Sequence, residues 1–476
     1  MDLAEYARSD AVALAQAVAT GRTDAQELAG LAAAAAGAVD PTLNAIVEVF
    51  DDPEGHDPKG PLAGVPMLVK DLGGLIGGRR CEAGSRLLRG NVAAADTELM
   101  RRFRSIGLVA VGRSATSEWA LAATVETEWR GPTRNPWDPG RSTGGSSGGS
   151  AASVAAGVVP VAHGSDGGGS IRIPAACCGV VGLKPSRGRV TAEPAGLELG
   201  GLNAQFVLTR SVRDAAAVLD AVHGPALGEA VTAPPPEESY TAAMHRRPRV
   251  RVGVTADHFW ERGTDPEVAA AVLSTGRRLA AAGHRVRPVG APRLGCDYRA
   301  ATLAVWCAMV AAEVDTASMA VGRPVGPDVL EAHTLTWYEH GRSLSGADVV
   351  GALDELHTAS RRVHALFDEE DIDVLLTPTL PTFPPAVGEW DPEGEPSWYY
   401  EDSSVGNLES TTSAFNCSGQ PAISLPLHQG SSGLPIGIHL AARYGREDVL
   451  FSLAAELEEL LPWSARRPPV FAGAAA

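Results

Sequence analysis

Residues 131–189 constrain the fold more than any other stretch, because two clusters of glycine and serine lie within them. The first cluster reads GGSSGG over residues 144–149 and the second reads GGGS over residues 167–170, with an Ala/Val-rich segment of helical character between them. Glycine at this density lets the backbone adopt positive φ angles and approach a ligand closely. A surface linker has a similar composition, but the segments IRIP at 171–174 and VVGL at 180–183 that follow favour a buried site.

Serine side chains among free backbone N–H groups favour acyl transfer, in which a nucleophile lies beside an oxyanion hole. The pattern Gly144-x-Ser146-x-Gly148 also matches the nucleophile elbow of α/β-hydrolases, which require a later Asp or Glu and a His. None of the 12 histidines stands in a recognisable setting. No glycine loop ends in Gly-Lys-Ser/Thr, which excludes a phosphate-binding P-loop. The residues therefore favour a serine nucleophile with a lysine base, and a histidine-dependent esterase is the alternative.

Lys70 is the candidate base, because it closes the apolar run of residues 67–69 in a predicted strand. Lysine rarely occupies a buried strand without a reason. In the simpler interpretation the ammonium group reaches water at the strand end. In the alternative interpretation, burial disfavours the charged form and lowers the pKa of Lys70, so that its neutral amine acts as a base. Lys70 and Asp71 would point to opposite faces of the strand, so they need not neutralise each other.

The rest of the chain predicts an α/β fold, a single large domain with a mixed central β-sheet flanked by helices. A predicted helix over residues 99–106 precedes a strand at 108–111. A second predicted helix begins at Pro266 and lies between strands at 250–254 and 285–289. Alternation of this kind is typical of a sheet with parallel or mixed strands.

Within that one domain, residues 1–476, we distinguish three segments. These are an N-terminal helical segment (1–60), a core that carries the candidate site (61–225), and the remainder of the sheet and pocket walls (249–476). Helices are expected throughout the first 50 residues, with Pro41 ending one of them. Residues 378–400 are rich in aromatic side chains and predict a pocket wall or lid. Those side chains are Trp390, Trp398, Tyr399 and Tyr400.

Charge and cysteine usage limit the partners and the location. A formal net charge of −17 argues against nucleic acid or an anionic membrane surface as a partner. Six scattered cysteines fit a reduced cytoplasmic chain better than a disulfide framework or a zinc site, and the N-terminal residues lack a signal-peptide pattern. No spacing of His, Cys and carboxylate residues predicts a metal, and no cofactor is expected. We expect a cytoplasmic chain that acts on a small molecule, with a homodimer left open.

Several motifs resemble those of the amidase signature family. GSDGGGSIRIPA at 164–175 and CGVVGLKP at 178–185 match the family signature, as do residues 144–150. GVPMLVKD at 64–71 and residues 416–426 match its outer motifs, so the resemblance covers nearly the whole chain. One departure is Gly167, where a threonine or similar residue is common in the family, and it bears on the rigidity of the loop rather than on the chemistry.

The resemblance implies a serine amidase that hydrolyses a C–N amide bond through an acyl-enzyme. By their positions in the family's motifs, the resemblance implies that Ser170 is the nucleophile, that Ser146 is the serine that follows a cis peptide bond, and that Lys70 is the base. Ser146 would accept a hydrogen bond from Ser170 while donating one to Lys70, which would relay the proton to the amine.

Backbone N–H groups from Gly167, Gly168 and Gly169 through to Ser170 would form the oxyanion hole. Three further residues are expected to support this loop rather than to contact substrate. They are Ser147, Asp166 and Arg172, the last two as an ion pair.

Further motifs, at 133–138, 161–164, 444–448 and 461–463, resemble those of the nylon-oligomer amidase branch of the family. They indicate ancestry more than substrate, so small amides, aryl amides and a biosynthetic peptide-like intermediate stay open. A glutaminase subunit of a tRNA-dependent amidotransferase would share the triad, but the net charge of −17 argues against it. A non-enzymatic binding protein on this fold is disfavoured because all three triad residues are present.

Overall fold

A computed structural model describes residues 1–53, 55, 57–196, 198–294, 297–390, 396–401 and 403–474, and at residues 198, 199 and 398 it describes the backbone alone. Of the predicted residues, the side chain of Trp398 therefore lies outside the described part, as does Cys296.

Across these residues, eleven strands form one sheet and two more form a short separate pair. The strands are β1 (Ile46–Val49), β2 (Pro66–Lys70), β3 (Val109–Ser114), β4 (Glu126–Thr127), β5 (Gly131–Pro132), β6 (Val161–Asp166), β7 (Val181–Lys184), β8 (Ala204–Thr209), β9 (Arg251–Val254), β10 (Arg285–Pro288), β11 (Val374–Pro378), β12 (Ala422–Gln429) and β13 (Pro435–Ala442). The large sheet has the order β1-β3-β2-β6-β8-β7-β12-β13-β11-β9-β10.

The sheet is mixed, which confirms the predicted fold class. β2 runs parallel to β3 and β6, and β9 runs parallel to β10 and β11, whereas the remaining neighbours are antiparallel. The helices around it are α1 (Leu3–Arg8), α2 (Ala11–Ala19), α3 (Ala25–Leu43), α4 (Glu98–Ser105), α5 (Gly148–Ala155), α6 (Arg172–Cys178), α7 (Val212–Val222), α8 (Tyr240–Ala243), α9 (Pro266–Ala281), α10 (Tyr298–Val321), α11 (Ala332–Ser343), α12 (Gly346–Glu369), α13 (Pro396–Glu401), α14 (Ser413–Ser418) and α15 (Glu447–Leu460).

Both predicted helix–strand alternations are confirmed. α4 leads into β3, and α9 connects the parallel strands β9 and β10. α9 begins after Asp265, whose Oδ1 accepts a hydrogen bond from the Glu267 N–H at 2.8 Å. Pro266 occupies the first turn of the helix. Proline is tolerated there because that N–H has no partner within the helix.

The N-terminal segment differs from the prediction in two places. α3 continues past Pro41 to Leu43, because a proline in the last turn removes only one hydrogen bond, and Asn44 then ends the helix with a φ of 51°. The next residues form β1, which pairs antiparallel with β3 at the edge of the sheet, so the first 50 residues are not all helical. The division into three segments stays a prediction, although strands from all three share the one sheet.

The pairing of β2 with β6 determines where the candidate site lies. Met67 lies opposite Val161 and Leu68 opposite Ala162, and the two strands are parallel. Their carboxyl ends therefore meet at the same edge of the sheet. The chain leaves β6 through the second glycine cluster into α6, and α5, which precedes β6, begins in the first cluster. Both clusters are thus brought to the strand end that carries Lys70.

α10 is a long apolar helix, with a mean hydropathy of 1.4 over 18 residues. By length and composition alone it could cross a membrane. In the structure it packs against α11 and α12, and Val305, Cys307 and Val310 are among its buried residues. Packing within the fold buries 33% of that 18-residue window.

Candidate active site

Lys70 is the last residue of β2, and its side chain is fully buried. Its Nζ donates hydrogen bonds to the Ser146 hydroxyl at 2.7 Å and to the Ser165 hydroxyl at 2.8 Å. Asp71 has separate partners, since its carboxylate accepts hydrogen bonds from the N–H groups of Glu82 and Gly84. The Lys70 side chain thus lies among hydroxyl groups inside the protein instead of reaching water at the strand end.

Ser146 lies in the first glycine cluster, two residues before the start of α5, and is also fully buried. The Gly145–Ser146 peptide bond is cis. A Cβ atom on Gly145 would lie 2.6 Å from the backbone nitrogen of Thr124 and 2.7 Å from its oxygen, so only glycine fits at this position. The backbone that presents Ser146 to Lys70 therefore depends on a close approach to the Thr124 backbone.

Ser170 follows the second glycine cluster and is 9% exposed, on the wall of the cavity that also contains Ser146. The Ser147 N–H donates to the Ser170 carbonyl oxygen at 3.2 Å, which joins the two clusters through the backbone. The Ser147 hydroxyl and the Ser165 backbone form a further pair of contacts at 3.3 Å. Among the described residues the Ser170 hydroxyl has no hydrogen-bond partner, so the expected bond to Ser146 is not formed in this state. Catalytic hydrogen bonds are often long without substrate and tighten in the complex.

Gly167, Gly168 and Gly169 form the turn between β6 and α6. Gly169 has a φ of 144°, which a residue with a side chain rarely adopts. Within the described part of the chain, the N–H groups of Gly168, Gly169 and Ser170 meet no protein acceptor. Three consecutive donors are therefore available beside the Ser170 hydroxyl.

Asp166 and Arg172 form a bidentate ion pair across this turn. Arg172 donates to the two carboxylate oxygens at 2.8 and 2.9 Å, and both side chains are fully buried. Asn416 bridges the pair, because it donates to Asp166 at 2.8 Å and accepts from Arg172 at 2.6 Å. Burial alone would raise the pKa of Asp166, but the charge of Arg172 and these hydrogen bonds outweigh it and lower the pKa to about 2. The pair stays ionised and ties the two ends of the turn together.

The cavity beside Ser170 has a volume of about 310 Å³. Most of its wall is apolar and includes Trp119, together with Trp306 and Met309 from one face of α10. Sequence reasoning did not single out these three residues, because hydrophobic side chains in a helix predict core packing and carry no chemical signature. The volume falls in the range of small-molecule sites.

Of the four aromatic residues expected in a lid, the three whose side chains are described, Trp390, Tyr399 and Tyr400, do not line this cavity. Tyr399 and Tyr400 lie in α13 and are buried, with exposed fractions of 1% and 3%. The Tyr399 hydroxyl donates to Glu409 at 2.7 Å and accepts from the Ala123 N–H at 3.0 Å. The prediction that these two residues form a pocket wall is wrong, because internal partners satisfy their polar ends and allow them to pack in the core. Residues 391–395 and the Trp398 side chain lie outside the described part.

Glu409 is a buried carboxyl group that the sequence analysis missed. It accepts hydrogen bonds from Tyr399 and Tyr400, and a Cβ atom on Gly168 would lie 2.5 Å from its Oε2. Burial raises the pKa of Glu409 to about 7, although the tyrosine hydrogen bonds act in the opposite direction. No motif indicated it, since a single Glu between Leu408 and Ser410 has no distinctive spacing.

Glu409→Gln is expected to flatten the pH dependence of stability between about pH 4.5 and 7. The raised pKa means that the folded state binds more protons than the unfolded state in this window, so the native residue makes stability fall as pH rises. Glutamine does not ionise and removes this contribution. Urea unfolding of both proteins at pH 5 and pH 7 measures the change, and an unaltered slope in the variant would contradict the assignment.

The hydrogen-bonded histidines that the structure describes have partners other than the candidate serines. Among the described residues no histidine is hydrogen-bonded to Ser146 or Ser170. His163 pairs with Gln205, and burial lowers its pKa to about 3. His439 pairs with Arg172, and burial lowers its pKa well below the usual value. This arrangement disfavours a histidine-dependent esterase.

The described ranges contain no group of three or more His, Cys, Asp or Glu residues that could hold a metal ion. The five described cysteines are buried and form no disulfide among themselves.

Comparisons with known proteins identify the family of this chain. The chain matches the amidase family over residues 26–451. It is 38% identical over 476 residues to the 6-aminohexanoate-cyclic-dimer hydrolase of Paenarthrobacter ureafaciens, and the match covers 96% of each chain. A solved structure of 6-aminohexanoate cyclic dimer hydrolase complexed with substrate superposes with a TM-score of 0.92 at 36% identity, over 99% of this chain and 100% of that one. A bacterial aryl acylamidase of the amidase signature family superposes with a TM-score of 0.83 at 26% identity, over 96% of this chain and 97% of that one. The chain is an amide hydrolase and belongs to the amidase signature family.

Proposed function

We propose that the chain hydrolyses a small-molecule amide through an acyl-enzyme on Ser170, with Ser146 and Lys70 completing the triad. The observation that carries this proposal is the buried hydrogen bond of 2.7 Å between Lys70 and Ser146, at the wall of the cavity that Ser170 also lines. A buried lysine held by serine hydroxyls can serve as a base only in its neutral form.

In the first half of the reaction the Ser170 oxygen attacks the amide carbon. Its proton passes to Ser146, whose own proton passes to the neutral Lys70 amine. The same path run backwards delivers the proton to the leaving nitrogen, so the C–N bond breaks and the amine departs. Water then attacks the acyl-enzyme, with Lys70 again accepting the proton through Ser146, and releases the acid.

The N–H groups at Gly167, Gly168, Gly169 and Ser170 stabilise the oxyanion that forms in both halves. The ion pair of Asp166 and Arg172 keeps the turn closed, and Ser147 holds it against the first glycine cluster. These residues support the reacting groups and do not contact substrate.

The substrate class follows from the cavity and from the relatives. A cavity of about 310 Å³ with a mostly apolar wall, to which Glu313 and Asn203 add polar groups, suits an amide of modest size. The 6-aminohexanoate-cyclic-dimer hydrolase and the aryl acylamidase favour a cyclic or non-peptide amide over a protein substrate. We further propose a cytoplasmic location, and the homodimer and the three-segment division stay predictions.

A panel of cyclic, linear and aryl amides, read by mass as free acid and amine, tests this function. We expect turnover of at least one cyclic or aryl amide, in equal amounts of acid and amine, and loss of turnover in Ser170→Ala. Glutamine belongs in the panel, because a glutaminase subunit would release ammonia. Preferred turnover of glutamine, or co-purification of partner subunits, would favour the amidotransferase alternative.

A further inference from the structure

The hydroxyl of Thr412, just before α14, contacts the second glycine cluster. It donates a hydrogen bond to the Gly168 carbonyl oxygen at 2.6 Å, and Thr412 is fully buried. A Cβ atom on Gly169 would lie 2.3 Å from this hydroxyl oxygen, so the hydroxyl packs directly against the turn. Thr412 is more than 240 residues away in sequence from the glycines that it touches.

This contact sets the direction of a neighbouring N–H group. The cis peptide bonds among the described residues are Gly145–Ser146 and Glu193–Pro194, so the bond between Gly168 and Gly169 is trans. In a trans peptide the C=O and N–H groups point in opposite directions. Because the Gly168 carbonyl points at Thr412, the Gly169 N–H points away from it. The cavity is lined by Gly167 and Ser170, which flank the Gly168–Gly169 peptide, and Gly168, Gly169 and Thr412 lie behind that lining.

The next peptide is held in the same way, but by the backbone. The Ile173 N–H donates to the Gly169 carbonyl oxygen at 2.7 Å, which leaves the Ser170 N–H directed away from α6. Two consecutive N–H groups are thus oriented through the carbonyl groups of their own peptides. A side-chain substitution can alter the first anchor, at Thr412, without altering the second.

We propose that Thr412 is a positioning residue that aims the Gly169 N–H at the substrate oxyanion. This inference rests on the proposed function of Ser170. The oxyanion exists in the transition state and not in the bound amide, so the loss of a well-aimed donor lowers kcat and leaves KM nearly unchanged. Thr412 acts through Gly169 and does not touch the substrate.

Thr412→Val keeps the shape of the side chain and removes the donor. We expect kcat to fall by about 10- to 100-fold, since the donor is misaligned and not deleted. Thr412→Ser restores the hydroxyl and should recover kcat to within about threefold of the wild type. Thr411→Val is the matched control, because the buried Thr411 hydroxyl donates to the Thr379 carbonyl at a similar 2.6 Å and has no contact with the glycine cluster. It should lose comparable stability and keep its kcat.

Affinity for an alkyl trifluoromethyl ketone gives a second readout, because addition of Ser170 to this probe creates an oxyanion. Thr412→Val should weaken that affinity by the same factor as kcat, and Thr412→Ser should restore it. Equal kcat in Thr412→Val and wild type, or equal kcat losses in Thr411→Val and Thr412→Val, would overturn the proposal. If Thr412→Val fails to fold, Thr412→Cys replaces it, since a thiol is a weak donor, and the same loss is expected. An active Ser170→Ala would instead refute the proposed function, which separates the two failures.

Discussion

Lys70→Ala is expected to lower kcat/KM by about 10²- to 10⁴-fold, the usual range for removing a general base. The substitution removes the amine that is 2.7 Å from the Ser146 hydroxyl, so no group remains to accept the proton of the attacking serine. In the wild type kcat/KM should rise with pH to a plateau, because only neutral Lys70 can act as the base. The rising limb should disappear in Lys70→Ala. Lys70→Arg should not restore activity, since a guanidinium stays protonated.

Two controls test whether the rise of kcat/KM with pH is due to Lys70. Lys184 is a second buried lysine at the end of a strand, and burial, followed by the nearby charge of Arg172, lowers its pKa to about 7. Lys184→Met should retain the limb if Lys70 causes it. A histidine-dependent hydrolase would keep a limb near about pH 6.5 after Lys70 is replaced. Such a limb in Lys70→Ala would contradict the assignment of the base.

Ser170→Ala is expected to lower kcat by a factor on the order of 10⁶, to near the background rate, because it removes the nucleophile itself. The change deletes a hydroxyl that has no hydrogen-bond partner among the described residues, so the melting temperature should change little. Ser153→Ala is the matched control, since Ser153 is a buried serine in α5 whose hydroxyl also lacks a partner in the described structure. It should keep full activity. Substantial amide hydrolysis by Ser170→Ala would contradict the acyl-enzyme on this residue.

The parts of the fold that could be predicted from sequence are those set by local pattern. Alternating helices and strands predicted the mixed sheet, and the Asp265-Pro266 start of α9 is a local capping signal. β1 was missed because a four-residue strand at a sheet edge is stabilised by its partner β3 and not by its own residues. The continuation of α3 past Pro41 likewise depends on where in the helix the proline falls.

In the candidate site, too, the residues with a distinctive local pattern could be predicted and those that depend on distant contacts could not. The glycine clusters and Lys70 stood out because glycine density and a lysine in an apolar strand are rare locally. In the structure both clusters contribute residues to one cavity, and Lys70 is hydrogen-bonded to Ser146 on its wall. Thr412 and Glu409 could not be found, because their role comes from a contact with glycines far away in the chain. Tyr399 was misread for a related reason, since a tyrosine with its hydroxyl satisfied internally looks in sequence like one facing a ligand.

Labelling with a fluorophosphonate tests the central claim most directly, because this probe reacts with an activated serine and leaves one stable adduct. Trypsin alone would leave Ser146, Ser147 and Ser170 in one peptide, since no Lys or Arg lies between Arg141 and Arg172. Added cleavage before Asp166 releases the peptide DGGGSIR, which contains Ser170 and no other serine. We predict a single adduct on this peptide, strongly reduced in Lys70→Ala. An adduct on the peptide of residues 142–165 would contradict the assignment of Ser170 as the nucleophile.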